Sequence, residues 1–259
     1  MGARTTLVGR VGSDAFGREL LDGLHGYAVD TSGVTVDPGL PSGLAFILVE
    51  DGGQNRIVVV PGANAAVGAT ELSILDRLLE PGTVLMLQCE VPFDVVLQAA
   101  HLGRSRGAIV ILDPSPASAV AVKPGVFTDV DYLMPNEGEA CSLTGRGDVQ
   151  PAVQALLELG AGTVVMKRGE QGALAAGRFS SPEVPAFKVT PVDTTAAGDS
   201  FQGAFAASLD KGLRPGQALY RAMAAGALTV TRAGAQQSMP DEAEVAGFLD
   251  ARLRHGELS

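Results

Sequence analysis

"VDTTAAGDSFQGAFAASL" runs from Val192 to Leu209. It begins with a carboxylate and a hydroxyl, thins to Ala196, Ala197 and Gly198, and places Asp199 at the mouth of a helical run. The first amides of a helix have no partner inside it and carry the positive end of its dipole. Side chains as small as these let a phosphate reach those amides. A carboxylate beside a phosphate is repulsive, so its presence suggests a task, and the simplest is to take the proton of an attacking hydroxyl. Asp199 also reads as an ordinary N-cap, because Asp is favoured there. The segment alone leaves both readings open.

Outward from this run, strand-like and helix-like stretches alternate. "TTLVG" (5–9) reads as a strand, and "DAFGRELLDGL" (14–24) as an amphipathic helix with Asp14 as its cap. "LAFILVE" and "RIVVV", separated by "DGGQN", read as a hairpin with a Gly-rich turn. "ELSILDRLL" is helical, "TVLMLQ" and "AIVIL" read as buried strands, and Pro92 opens the helix "PFDVVLQAAHLGRSR" between them. "DYLMP", a helix from about Asn136, "PAVQALLELG", "TVVMK" and "GALAAG" continue the rhythm, and helices are expected near 198–210, 215–231 and 241–254. Such alternation predicts an α/β fold around a mostly parallel sheet covered on both faces. The hairpin breaks the rhythm, so one domain, 1–259, with a small lid at about 43–61 is expected.

Composition narrows the function. Of 259 residues, 46% are hydrophobic and 19% charged, which suits a folded chain with a large core. A net charge of −10 gives no overall basic footprint for nucleic acid or for an anionic membrane. Two cysteines and three scattered histidines provide neither a disulfide framework nor a zinc site. With no signal-peptide pattern and no long apolar span, the sequence reads as a soluble cytoplasmic protein. GxxxxGK[ST], a strand-linked GxGxxG and GxSxG are all absent.

The run at 192–209 resembles the C-terminal signature of the ribokinase-like (PfkB) family of sugar kinases, D-T-x-G/A-A-G-D. "VGRVGSDAFGREL", "PSGLAFILVEDGGQNRIVVVPGANA", "LMLQCEVP", "ILDPSPA", "YLMPNEGEACSLTG", "VVMKRGEQGAL" and "AAGALTVTRAGAQQSMP" resemble family segments in the family's order. Together they cover essentially all of 4–254. The resemblance implies a three-layer sandwich with a β-lid, and transfer of phosphoryl from ATP to a sugar, D-ribose giving D-ribose 5-phosphate. It also leaves room for another sugar or nucleoside kinase, and for a non-catalytic nucleotide-binding descendant.

Carried over position by position, the resemblance makes Asp199 the catalytic base. Ala196, Ala197 and Gly198 become an anion hole for the transferring phosphoryl, which agrees with the electrostatics above. Asn136 is placed by the nucleotide phosphates, with Glu139 helping to organise Mg²⁺ through water. Alone, "NEGE" is an ordinary helix start, and both readings can hold. Lys167, Arg168, Gly169, Glu170, Gln171 and Gly172 match the loop along the nucleotide, otherwise a plain hairpin, and Met223 is assigned to the same nucleotide. Glu90 matches a sugar-contacting glutamate, otherwise a strand-terminal acid. A potassium site is implied at Asp193 and Ser238 through side chains, with main-chain oxygens of Thr195, Thr229, Arg232 and Gly234; hard oxygen ligands suit that ion. Asp193 alone reads as a turn residue. The family's pairing of two lids implies a homodimer, and the apolar hairpin agrees, since an exposed apolar sheet needs cover.

The family also carries a first strand, two lid strands and a GGKGAN-like motif ahead of the segment matching "TTLVGRVGSDAFG". No stretch here corresponds to them; "PGANA" at 61–65 is a different segment. The expectation is a complete nucleotide half, an incomplete sugar half, and weak or absent turnover by the chain as given.

Overall fold

A computed structural model describes residues 1–49 and 55–254. Its centre is a six-stranded sheet of β5 (Val84–Leu87), β6 (Ile109–Leu112), β7 (Tyr132–Leu133), β8 (Thr163–Lys167), β9 (Ala173–Gly177) and β10 (Ser181–Val184). The strands lie side by side in the order β10-β9-β8-β7-β6-β5. β5 to β8 are mutually parallel, and β9 and β10 turn back antiparallel.

Strand periodicity sends alternate side chains to opposite faces, and each face has its own core. Val110, Leu112, Leu133, Val164 and Met166 meet α3 (Phe93–Ser105), α4 (Glu137–Thr144) and α5 (Val149–Glu158). Ile111, Met134 and Val165 point the other way, onto α6 (Ala197–Asp210) and α7 (Pro215–Thr229). There Phe205, fully buried, meets the edge of Tyr132 with ring centres 5.2 Å apart. The result is helix, sheet, helix: the three layers expected from the sequence. α8 (Glu242–Arg254) packs outside α6 and α7 through Val245.

The amino-terminal part is built differently. β1 (Thr6–Gly12) and β2 (Asp30–Asp37) form a separate parallel pair, joined by α1 (Ala15–Gly26). Asp14 caps α1 as expected, accepting from the amide of Gly17 at 2.8 Å, and also takes the amide and hydroxyl of Ser42. Arg10 ties the pair to α2 (Ala69–Leu78), bonding Asp37 at 2.9 Å and Glu71 at 3.0 Å. Val8, Leu85 and Leu87 share one apolar cluster with α2 and α3, yet β1 and β5 are not paired. β5 is therefore an edge strand, and Met86 is 44% exposed where a buried strand was expected.

β3 (Leu44–Val49) and β4 (Asn55–Val60) make the expected antiparallel hairpin, with Phe46 opposite Val58. Its turn, 50–54, lies outside the described residues. Val58 and Val59 point to opposite faces, and both are more than half exposed, so both sides are uncovered at this end of the ribbon. β2 and β10 were not anticipated. "DTSGVTVD" carries Gly33 and three polar residues in its first half, and "SPEV" carries a proline, which weakens any strand signal. No helix among the described residues is long and apolar enough to cross a membrane.

Candidate active site

In parallel sheets the carboxyl ends of the strands gather on one edge, where backbone groups and loop residues face a ligand. Here that edge collects Glu90 after β5, Asp113 after β6, Asn136 after β7 and Lys167 at the end of β8. An isolated parallel bridge sets Asn136 beside Lys167, with the Lys167 amide on the Pro135 carbonyl at 2.9 Å. The amino end of α6 arrives at the same edge. An ideal Cβ on Gly198 would lie 3.8 Å from Lys167 Nζ and meet nothing nearer.

The entry to α6 has the form read from the sequence. Ala196 sits in the left-handed region at φ 60°, which a side chain adopts at a cost of about 1–3 kcal/mol. Past that turn, the amides of Gly198 and Asp199 have no acceptor among the described residues. The Asp199 carboxylate is exposed and bonds to nothing described. It is therefore not an N-cap: the cap is Ala196, which makes no side-chain bond. The N-cap reading of Asp199 is thereby removed, and its carboxylate stands accessible beside free amides.

Asn136 and Glu139 form a reciprocal capping box on α4. Asn136 Oδ1 accepts from the Glu139 amide at 2.8 Å, and Glu139 Oε2 from the Asn136 amide at 2.7 Å. Glu139 Oε1 keeps no partner among the described residues, so one oxygen remains for a hydrated cation. This donor set fits Mg²⁺, which takes one or two carboxylates and keeps several waters beside substrate phosphates. The free amides, the lysine and the unfilled cradle at Gly198 likewise fit a polyphosphate.

The loop after β8 is tightly closed. The Arg168 amide reaches the Gly172 carbonyl at 2.8 Å, and Gly172 at φ 95° has no room for a Cβ, which would lie 1.9 Å from the Val184 carbonyl oxygen. The Arg168 side chain is held by Glu137 at 2.6 Å and by Gln171 and Glu183. Gly169, Glu170 and Gln171 form a short 3₁₀ turn, and all three are exposed. Met223 is 7% exposed and packed with Phe201 and Ala222 in the core of α6 and α7. Glu90 is exposed, its amide donating to Gln88 Oε1.

The residues read as a potassium site are brought together. Asp193 Oδ1 accepts from the Thr195 amide at 2.9 Å and Oδ2 from the Gly234 amide at 3.0 Å. Those amides hold its carboxyl below the usual carboxylate range. Val192 and Asp193 both donate to the Val230 carbonyl, next to Thr229. The Thr229 carbonyl takes the Arg232 amide at 3.1 Å, while the Arg232 guanidinium pairs with Glu244. Buried Ser238 donates to the Ala235 carbonyl at 2.7 Å. A single carboxylate among backbone oxygens suits a monovalent ion, and no cluster of three or more metal-ligating side chains exists among the described residues.

Beneath this edge lies Cys89, 2% exposed. Burial, with the negative charges of Asp113 and Glu139, pushes its thiol up to about 12. A cleft of about 490 Å³ opens among Arg104, Tyr132, Arg178 and Phe179 at the amino ends of β6 to β8. Its charges satisfy one another, Asp131 taking both arginines, and it offers no free amides.

Free helix-terminal amides, an accessible carboxylate and a lysine at one strand edge define a phosphoryl-transfer type of α/β protein. The model of the pfkB family of carbohydrate kinases matches residues 1–242, and the chain belongs to that family. It is 34% identical to a ribokinase of Schizosaccharomyces pombe, covering 96% of this chain and 80% of the relative. Among solved structures, Thermotoga maritima ribokinase superposes with a TM-score of 0.85 at 37% identity, covering 95% of this chain and 81% of its own. Arabidopsis thaliana ribokinase, complexed with ribose and ATP, superposes at 0.80 with 31% identity, covering 95% and 82%. The chain is thus similar to carbohydrate kinases along nearly all its length.

Proposed function

We propose that this chain transfers the γ-phosphoryl of ATP to D-ribose, giving D-ribose 5-phosphate and ADP. The observation that carries the reading is the entry of α6, with unpaired amides at Gly198 and Asp199 and an unengaged carboxylate on Asp199. Asp199 takes the proton of the sugar hydroxyl as the hydroxyl oxygen attacks the γ-phosphorus. The bond from that phosphorus to the β,γ-bridging oxygen breaks, and ADP leaves. The anion hole of Ala196, Ala197 and Gly198, with the free amides of Gly198 and Asp199, meets the charge that spreads over the equatorial oxygens. Asn136 and the loop Lys167 to Gly172 bind the nucleotide, and Glu90 contacts the sugar. Bound Mg²⁺, held through water by Glu139, would neutralise phosphate charge.

Asp193, Ser238 and the carbonyl oxygens at 195, 229, 232 and 234 would hold K⁺, and the Asp193 link between the α6 entry and Gly234 would pass its effect to the anion hole. The chain acts in the cytoplasm as one domain with a lid, and it pairs with a second copy through the uncovered β3–β4 ribbon. The test is ribose-dependent ADP release by the parent and by Asp199→Asn. The variant is expected to bind ATP normally and to lose about 10²–10⁴ in turnover, the scale of general-base catalysis. Turnover within a few fold of the parent would remove Asp199 from the role. Greater turnover of another sugar or a nucleoside would replace ribose as substrate. Rates unchanged when a bulky organic cation replaces potassium would remove the potassium site.

A further inference from the structure

Three elements that are distant in sequence converge behind the anion hole. Lys167, at the end of β8, reaches past β7 to Asp113 at the end of β6, with Nζ 3.1 Å from Oδ2. Gln202 on α6 donates its side-chain amide to the same oxygen. Asp113 is 9% exposed and Gln202 6%. Gln202 is the one large polar residue on the buried side of α6 among the described residues. A carboxylate and an amide are costly to bury, so their retention here needs a compensating role. Asp113 Oδ1 is buried without a partner, which makes the arrangement costlier still.

Lys167 itself is only partly spent. An ammonium has three donors, and one is used among the described residues. The other two sit close to Gly198, where a Cβ would meet Nζ at 3.8 Å and where a free amide also lies. The space between is bounded by a fixed cation and by amide donors, with no acidic side chain bonded into it. A tetrahedral anion fits that set, and a neutral nucleoside does not use it.

We propose that Lys167, steered by Asp113 and Gln202, donates to the oxygens of the transferring phosphoryl beside the Gly198 amide. The lysine then acts at the phosphate end of ATP and not along its nucleoside. Asp113 and Gln202 are positioning residues that hold the ammonium across the end of β7. The inference rests on the kinase reading above.

The test is equilibrium binding of ATP and of adenosine to the full chain. Lys167→Met is expected to weaken ATP about 10–100-fold, the scale of a charge-assisted hydrogen bond, and to leave adenosine unchanged. Because that variant strands the buried Asp113 carboxylate, a second one, Lys167→Met with Asp113→Asn, removes both charges and should show the same loss. Lys167→Arg should recover most of it. Asp113→Asn alone, which loosens the ammonium but keeps its charge, should lower the ATP-to-adenosine affinity ratio about 3–10-fold, less than loss of the lysine. A folded Lys167→Met or double variant whose ratio matches the parent's overturns the proposal. If the parent phosphorylates sugar and Asp199→Asn does not, that result leaves the kinase reading standing while the lysine's role falls. A parent chain that binds neither ATP nor adenosine sinks both.

Discussion

At the carboxyl edge of the sheet, β6, β7 and β8 each have a partner on both sides; β1, β3 and β4 each have one. The difference extends to the side chains. Around the paired strands most apolar residues are buried, and Asn136, Glu139, Asp113 and Lys167 are engaged in caps and clamps. In the outlying ribbons Leu7, Phe46, Val58 and Val59 are 40% exposed or more, and the β1–β2 pair is tied down by the charged group Arg10–Asp37–Glu71 and by Val8. The carboxyl edge of the central sheet is an outgrowth of a finished core. The ribbons present apolar surface and unpaired backbone that still call for a partner.

The sharpest way to break this contrast is to delete one aromatic ring in each region. Phe205→Ala, in the core beneath α6, should cost about 3–5 kcal/mol in chemical denaturation. Phe46→Ala on the ribbon should change the stability of an isolated protomer by no more than about 0.5 kcal/mol. Equal losses would mean that the ribbon is as well packed as the core. Next in size is self-association. Val58→Lys places a charge opposite Phe46, and light scattering across a dilution series should show association of the proposed dimer weakened by about tenfold or more, a cost of some 1.4 kcal/mol. A dimer indifferent to this change must use another surface.

The two thiols should differ in reactivity. Cys141 is exposed and should react promptly with a disulfide reagent near pH 8. Cys89, its thiol pushed up to about 12, should stay protected until the protein unfolds. The linked pH effect has a definite sign. In the unfolded chain this thiol titrates near 9. The stability it contributes is therefore full below that value and is lost as pH rises from there toward about 12. Prompt labelling of both cysteines in folded protein would show that the floor of the site is open.

Much of this was legible in the sequence, because it follows from local chemistry. Asp14 and Asn136 announce their helices by residue type and position, and the bare entry "AAGD" announces a helix whose first amides are left without side-chain caps. The hairpin could be read from two apolar runs around a Gly-rich turn. What escaped depends on distant contacts. Asp113 closes a strand and Gln202 interrupts an apolar helical face, and neither is informative until β6, β8 and α6 converge. The separation of β1 from β5 escaped for the same reason, since each is a sound strand on its own. Met223 stands at the far limit of sequence reading: position along α7 does not say that the side chain turns into the core.

The left-handed Ala196 carries a consequence for how the site ages and adapts. Its methyl group makes an unfavourable backbone turn, and glycine would relieve about 1 kcal/mol of that strain. Glycine would also release conformational freedom in the unfolded chain, a penalty of about 0.4–1 kcal/mol in the opposite direction. The two nearly cancel, so the position is close to neutral in global stability while differing in local stiffness. Alanine holds the turn with fewer alternatives, and glycine would let the Gly198 and Asp199 amides wander before any anion arrives. A population drifting between these two residues would keep its melting temperature and change only the entropy of closing around phosphate.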